Sequence, residues 1–471
     1  MKKITLLFTL LVGSLAFAQV PCVGGNAAGF PCEGFNLQFD ITPANMSAGT
    51  ANDSWGWTDP QDGKEYAIIG LDNGTAFFDI SDPSNSAYLG KLPSHAGSGP
   101  WRDIKVYENH AFVVAEENGH GMQVFDLTRL RNVANPPATF TEDGHYDNFG
   151  RAHNIVINED TGFAYAVGTS TFGGGPHFID ISNPTNPVAA GGYSLDGYTH
   201  DAQVITYIGP DTDYTGREIF VGSNSGSDNI AIVDVTDKSN PTPISSTSYN
   251  NSAITHQGWF TEDHRYFILG DEGDESNFGF NTTTRVFDLL DLDNPVLSFE
   301  YTGPTAAIDH NGYVVGDYYF MANYSAGMRA LDISDIANGN INEVGFFDST
   351  PSNNNTNFDG TWNVYPFFAS GNIVMSGEEG FFLVNNPDIL GIEDIPSGDF
   401  SMSPNPARNR LTIASKNEII SQIAIYNVLG QLVMNKTFSN NFSETLNISK
   451  LNSGMYLVKI NNATTKRLIV N

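Results

Sequence analysis

One phrase recurs along this chain, and its recurrence limits what the chain can fold into. It stands clearest as Ala152-His153-Asn154-Ile155-Val156-Ile157, a polar turn, Phe163-Ala164-Tyr165-Ala166-Val167-Gly168, a loop, and Phe178-Ile179-Asp180-Ile181-Ser182. Apolar runs of this length, separated by turn residues, predict antiparallel strands. The phrase returns from His200-Asp201 to Asp234, from His256-Gln257 to Asp288, and from His310-Asn311 to Asp332. Degenerate copies open at Trp55, Arg102 and Trp362. Seven copies at a period of roughly 45–55 residues predict an all-β chain, with a seven-bladed β-propeller over residues 19–390.

Two details refine that expectation. The seventh copy lacks a fourth strand, and Phe35–Ile41 is an alternating strand with no neighbour in sequence. If the N-terminal strand fills the vacancy, the ring closes and no long edge is left exposed. Asp79, Asp126, Asp180, Asp234, Asp288 and Asp332 each end a third strand, with Leu383 at that place in the seventh copy. A carboxylate there can accept backbone N–H groups of the turn after it.

The chain's ends read differently. Residues 1–18 carry Lys2-Lys3, an apolar run and Ala16-Phe17-Ala18, the pattern of a secretory signal peptide. No later run is apolar for long enough to span a bilayer. The only cysteines, Cys22 and Cys32, lie in a short Pro- and Gly-rich loop; in an oxidising compartment they favour one local disulfide. Residues 391–399 read as a linker, and residues 400–471 as a small β-sandwich of short strands. That last segment holds eight Lys/Arg and two Glu, whereas the whole chain carries a formal charge of −31. So acidic a body makes nucleic acid a poor partner. Its acidity serves solubility or divalent-cation binding outside the cell.

The C-terminal motifs are Pro404-Asn405-Pro406, Ile425-Tyr426-Asn427-Val428-Leu429-Gly430-Gln431-Leu432, Leu451-Asn452-Ser453-Gly454-Met455-Tyr456 and Lys466-Arg467-Leu468-Ile469-Val470. In this order they resemble the type A sorting domain of the Bacteroidetes type IX secretion system. The resemblance implies the type IX machinery as partner, export through the periplasm, and release or attachment at the outer-membrane surface. The body resembles the choice-of-anchor B family, with LVIVD-type repeats. It does so through Trp55-Gly56-Trp57-Thr58-Asp59-Pro60, Trp101-Arg102-Asp103-Ile104, Ala152-His153-Asn154-Ile155, Gly197-Tyr198-Thr199-His200-Asp201 and Thr255-His256-Gln257-Gly258-Trp259. No activity comes with that resemblance.

Aligning the copies on the start of their first strands brings Trp55, Arg102, His153, His200, His256, His310 and Trp362 to one level. Four of the chain's ten histidines fall there. They either cap strand ends or hold a ligand on the axis. Imidazoles suit a divalent metal such as Zn, Fe, Cu or Ni, while Arg102 favours an anion, and Trp55 and Trp362 offer stacking walls. The Asp271–Glu275 loop offers Asp271, Glu272 and Asp274 to calcium, or is simply solvated. Phosphate-loop, nucleophile-elbow and His-Glu-x-x-His motifs are absent. Two functions are expected from these residues. One is a secreted or surface binding scaffold for an unknown extracellular ligand. The other is a metal-dependent enzyme, an oxygenase or lactonase-like hydrolase.

Overall fold

The repeat phrase forms small antiparallel sheets because its strands are buried on both faces. In the strand Glu65–Leu71, Tyr66 and Ile68 pack toward one neighbouring sheet, with Ile104 and Val113, while Ala67 and Ile69 pack toward another, with Val374 and Leu383. Side chains alternate across a strand, so a run such as Tyr66-Ala67-Ile68-Ile69 serves two cores at once. This explains why the repeats read as continuous apolar runs.

The computed structural model describes residues 19–390, 400–403, 407–415, 419–427, 432–451, 454–461 and 464–470. The expected signal peptide, the 391–399 linker and the Pro404-Asn405-Pro406 and Val428–Gly430 motifs lie outside them. The chain divides into two units, Met1–Asn386 and Pro387–Asn471.

Among the described residues the first unit holds seven sheets. Their first strands are Ala51–Thr58, Arg102–Tyr107, Asn154–Asn158, Asp201–Thr206, Thr255–Phe260, Gly312–Val315 and Thr361–Tyr365. The seventh sheet runs Thr361–Tyr365, Asn372–Gly377, Gly380–Asn385 and then Asn36–Ile41, so the N-terminal strand is its outer strand. The Cys22–Cys32 disulfide is formed. Beside it, Phe30–Glu33 adds to the sixth sheet by pairing with Asn342–Phe347.

The six recurring aspartates share one job. Each accepts the backbone N–H two residues on: Ser81 to Asp79, Thr128 to Asp126, Ser182 to Asp180, Thr236 to Asp234, Leu290 to Asp288 and Ser334 to Asp332, at 2.9–3.0 Å. They hold the turn into the fourth strand.

A second set of polar side chains ties each sheet to the next. Ile104 N–H donates to Asp53 Oδ2 at 3.2 Å, and Ile155 N–H to Asp103 Oδ2 at 2.6 Å. Asn154 Nδ2 donates to the His200 carbonyl, Phe260 N–H to Gln203 Oε1, and Gln257 Nε2 to the Gly312 carbonyl. Asn311 Nδ2 donates to Asn363 Oδ1, and Asn363 Nδ2 to the Ser54 carbonyl at 2.6 Å, in the first sheet again. Asp53 therefore does in the first sheet what Asp103 does in the second. The register of Ala51–Thr58 shifts between Ala51 and Ser54, and this irregularity puts Asn52 at the level of Arg102 and the histidines. The alignment that put Trp55 there is corrected accordingly.

Among its described residues the second unit has two sheets. One is Phe400–Ser403, Arg410–Ser415 and Ser443–Asn447; the other is Leu432–Asn441, Ile420–Asn427, Gly454–Ile460 and Thr464–Val470. They share a core of Leu411, Ile413, Ile423, Ile425, Leu446, Val458 and Leu468. Among the described residues, no helix is long and apolar enough to cross a membrane.

Candidate metal centre

His153, His200 and His310 stand just before the first strands of the third, fourth and sixth sheets, and His256 lies within that of the fifth. The backbone holds them in place: His153, His200 and His310 N–H donate to the carbonyls of Val167, Ser223 and Ala322. At His256 and at Trp362 the pairing skips a residue. Such bulges re-aim a side chain at a strand end.

The structure brings the four imidazoles together. Ring centroids are 4.2 Å apart from His153 to His200, 4.3 Å from His200 to His256, and 4.1 Å from His256 to His310. Trp362 closes one end of the arc, 4.8 Å from the His310 ring. The His310 Nδ1–H donates to the Trp362 carbonyl at 2.6 Å. A carbonyl only accepts, so Nδ1 carries the proton and Nε2 keeps its lone pair. His153 Nδ1 pairs with Glu116 Oε1 at 2.7 Å, and this bond holds the Glu116 carboxyl below its usual range. A carboxylate or carbonyl behind an imidazole is the usual support of a metal-ligating histidine.

One carboxylate joins the arc. Glu272 Oε2 lies 3.6 Å from His256 Nε2, and Glu272 Oε1 lies 3.6 Å from His310 Nε2. Tyr324 donates its hydroxyl to Glu272 Oε1 at 2.6 Å. His200, His256 and Glu272 each offer a donor atom within 4.8 Å of the others, a spacing that one ion could bridge with small movements.

The electrostatics favour neutral bases. Burial, then the neighbouring imidazoles, lowers the pKa of His200 and His256 well below that of a free histidine. Burial brings His310 down to about 3 and pushes the Glu272 carboxyl up to about 7. Nδ1 of His200 and of His256 are buried without a hydrogen-bond partner. A buried polar atom left unpaired costs about 1–3 kcal/mol. Imidazole nitrogens, one carboxylate and unmet polar atoms fit a divalent transition metal.

Other expected site residues lie elsewhere. Trp55 packs with Tyr313, Tyr365 and Phe367, apart from the imidazoles. The buried Arg102 donates to the Leu71 carbonyl, to His120 Nε2 and to Ser94 Oγ. Its guanidinium is engaged inside the fold and is brought down to about 10 by burial. The calcium expectation is also corrected, because the three acids diverge. Asp271 accepts Tyr249 O–H and the N–H groups of Ala253, Ile254 and Gly273. Asp274 pairs with Arg285 at 2.7 Å. Glu272 alone turns to the histidines. Tyr324 was missed by sequence reasoning; the only available signal was a tyrosine in the second-to-third strand loop of the sixth repeat.

Comparison with known proteins bears on this arrangement. Residues 401–471 match the secretion system C-terminal sorting domain, and residues 98–121 and 150–194 match the LVIVD repeat. The chain thus carries an LVIVD-repeat region and ends in a sorting domain of the kind found on type IX secretion cargo. These are the features of a secreted or surface protein. No curated protein sequence matches it. Hydrazine synthase of Kuenenia stuttgartiensis is a structural neighbour at TM-score 0.52 and 12% identity, covering 72% of this chain and 96% of its own. That likeness concerns fold alone. PorZ, an essential surface component of the type IX secretion system of Porphyromonas gingivalis, aligns at TM-score 0.48 and 13% identity. It covers 95% of this chain, which spans 62% of PorZ.

Proposed function

We propose that this LVIVD-repeat chain is an exported metal-binding protein. In this reading its seven sheets are the blades of a propeller, and His200, His256 and Glu272 hold one divalent transition metal, with His153 and His310 beside them. The propeller is supported by the sheet-to-sheet hydrogen bonds that run from Asp53 through Asp103, Asn154, Gln203, Gln257 and Asn311 to Asn363 and back to Ser54. Export through the periplasm to the cell surface or beyond is supported by the sorting domain.

The metal rests on one observation: neutral imidazoles, two of them with an unpaired buried Nδ1, gather around one half-buried carboxylate, which faces Nε2 of His256 and of His310. A purely structural histidine cluster is expected to satisfy its nitrogens internally. When bound, the ion would supply Lewis acidity, which serves either ligand capture or catalysis. The protein's own share is to aim Nε2 of His310 through the Trp362 carbonyl and to hold Glu272 through Tyr324.

The test is elemental analysis of protein purified from its native host without chelators or affinity metals. About one transition-metal ion per chain, lost in the His200→Ala/His256→Ala double variant, is the expected result. No metal, or calcium only, would overturn the reading.

A further inference from the structure

A cavity of about 340 Å³ opens on residues three places beyond the histidine level. Asn52 leads to Trp55, Arg102 to Lys105, His200 to Gln203 and His256 to Trp259. Three residues of strand advance about 10 Å. The cavity is thus separate from the metal centre, and its chemistry does not depend on a bound metal. Phe367, Tyr365, Glu159 and aliphatic side chains such as Val156 and Val204 also line it.

The aromatic groups are fixed in place. Tyr313 lies 5.8 Å from Trp55 and 4.9 Å from Trp259, near perpendicular to both. Phe367 lies 6.0 and 6.1 Å from the same two rings. Both indoles are only half-buried, so each leaves apolar ring surface toward the cavity.

The polar groups narrow the ligand. Lys105 Nζ stands 4.5 Å from the Trp55 ring and pairs with Asp103 Oδ1 at 2.5 Å. A carboxylate or phosphate ligand would need a free cation, and this one is already neutralised. A quaternary ammonium would need the aromatic faces, where Lys105 already puts a positive charge over Trp55. Gln203 Oε1 accepts the Phe260 N–H, which leaves the Gln203 amide N–H groups as donors. Glu159 presents an exposed carboxylate as acceptor. A wholly apolar ligand would cover the Gln203 amide N–H groups without pairing them.

Apolar ring faces beside uncompensated donors and acceptors match a neutral polyhydroxylated ring, whose C–H face stacks and whose hydroxyls both donate and accept. The volume is at the small end of the range of about 300–1,000 Å³ for ligand pockets, enough for one or two such rings. We infer that this cavity is a saccharide site taking one or two residues of a neutral glycan.

The experiment uses the exported chain and an array of neutral mono- to tetrasaccharides, with tryptophan fluorescence as the solution readout. At least one saccharide is expected to bind and shift the emission. Trp259→Ala is expected to weaken it by roughly tenfold or more, and Trp259→Phe by less. Glu159→Ala, on the exposed rim where folding is not at stake, is expected to weaken it by roughly threefold to tenfold. His200→Ala should leave it unchanged, which separates this site from the metal centre. The inference is overturned if no neutral saccharide binds at up to about 10 mM, or if binding survives both Trp259→Ala and Glu159→Ala unaltered. It is also overturned if tetramethylammonium or benzoate shifts the emission in a Trp259-dependent way and saccharides do not.

Discussion

Tyr324 donates its hydroxyl to Glu272 at 2.6 Å, and the same carboxylate faces Nε2 of both His256 and His310 at 3.6 Å. Tyr324 itself sits at a positive φ of 31°, a conformation uncommon for a bulky residue. The loop of the sixth sheet is thus bent so that one hydroxyl fixes one carboxylate against two imidazoles.

Metal affinity should therefore depend on Glu272 and on pH in a linked way. Burial raises its carboxyl to about 7, so below that pH a proton competes with the metal. Affinity for Zn²⁺, measured by calorimetry, is expected to fall by up to about tenfold per pH unit below 7. Glu272→Gln should bind more weakly and should lose that part of the pH dependence. Tyr324→Phe should cost about 10–100-fold in affinity, as loss of a supporting hydrogen bond does.

Acid sensitivity has a second source away from the metal centre. His120 is buried and accepts from Arg102 through Nε2. Burial, then the neighbouring guanidinium, lowers it to about 3 from 6.5. Between those values the unfolded chain binds the extra proton, so stability falls as pH falls from about 6.5 toward 3. The slope is about 1.4 kcal/mol per pH unit for one such group. The buried histidines of the metal centre add their own slopes, so the check is a difference: unfolding free energies of the wild type and of His120→Gln should diverge across this range by about 1.4 kcal/mol per pH unit.

Asn363 joins the seventh sheet to the first and is fully buried. Its Oδ1 also accepts from Asn311 and from Tyr313. Asn363→Ala removes the bond to Ser54 and leaves buried groups unpaired, so a loss of about 2–4 kcal/mol is expected from equilibrium unfolding. An unchanged unfolding midpoint would mean that the seventh-to-first junction is held by apolar packing alone.

Residues 401–471 match a sorting domain. A chain ending near Ser397 should accumulate in the periplasm of its native host, whereas the full chain reaches the surface or the medium. Fractionation followed by immunoblotting reads this directly. Equal surface display of both would remove the second unit from the export route.

The repeat itself was legible in sequence because both strand faces are buried. That demand writes continuous apolar runs such as Tyr66–Ile69, and a turn-capping aspartate marks the third strand in six of the seven copies. The disulfide and the outer strand of the seventh sheet were also legible, the first from chain proximity and the second from an unpartnered strand matching a vacancy. The level of the four histidines could be read by aligning repeats. What the alignment could not carry was a local irregularity: the shifted register before Ser54 moved Trp55 away from the histidines and into a different cavity. Loop direction was equally hidden. Glu272 stands between two acids of the same composition, and only the packing turns Asp271 to backbone amides, Asp274 to Arg285 and Glu272 to the imidazoles. Sequence determines strands through local alternation and burial. The choice among neighbouring polar side chains is made by donors and cations that arrive from other sheets, and only the tertiary structure brings those together.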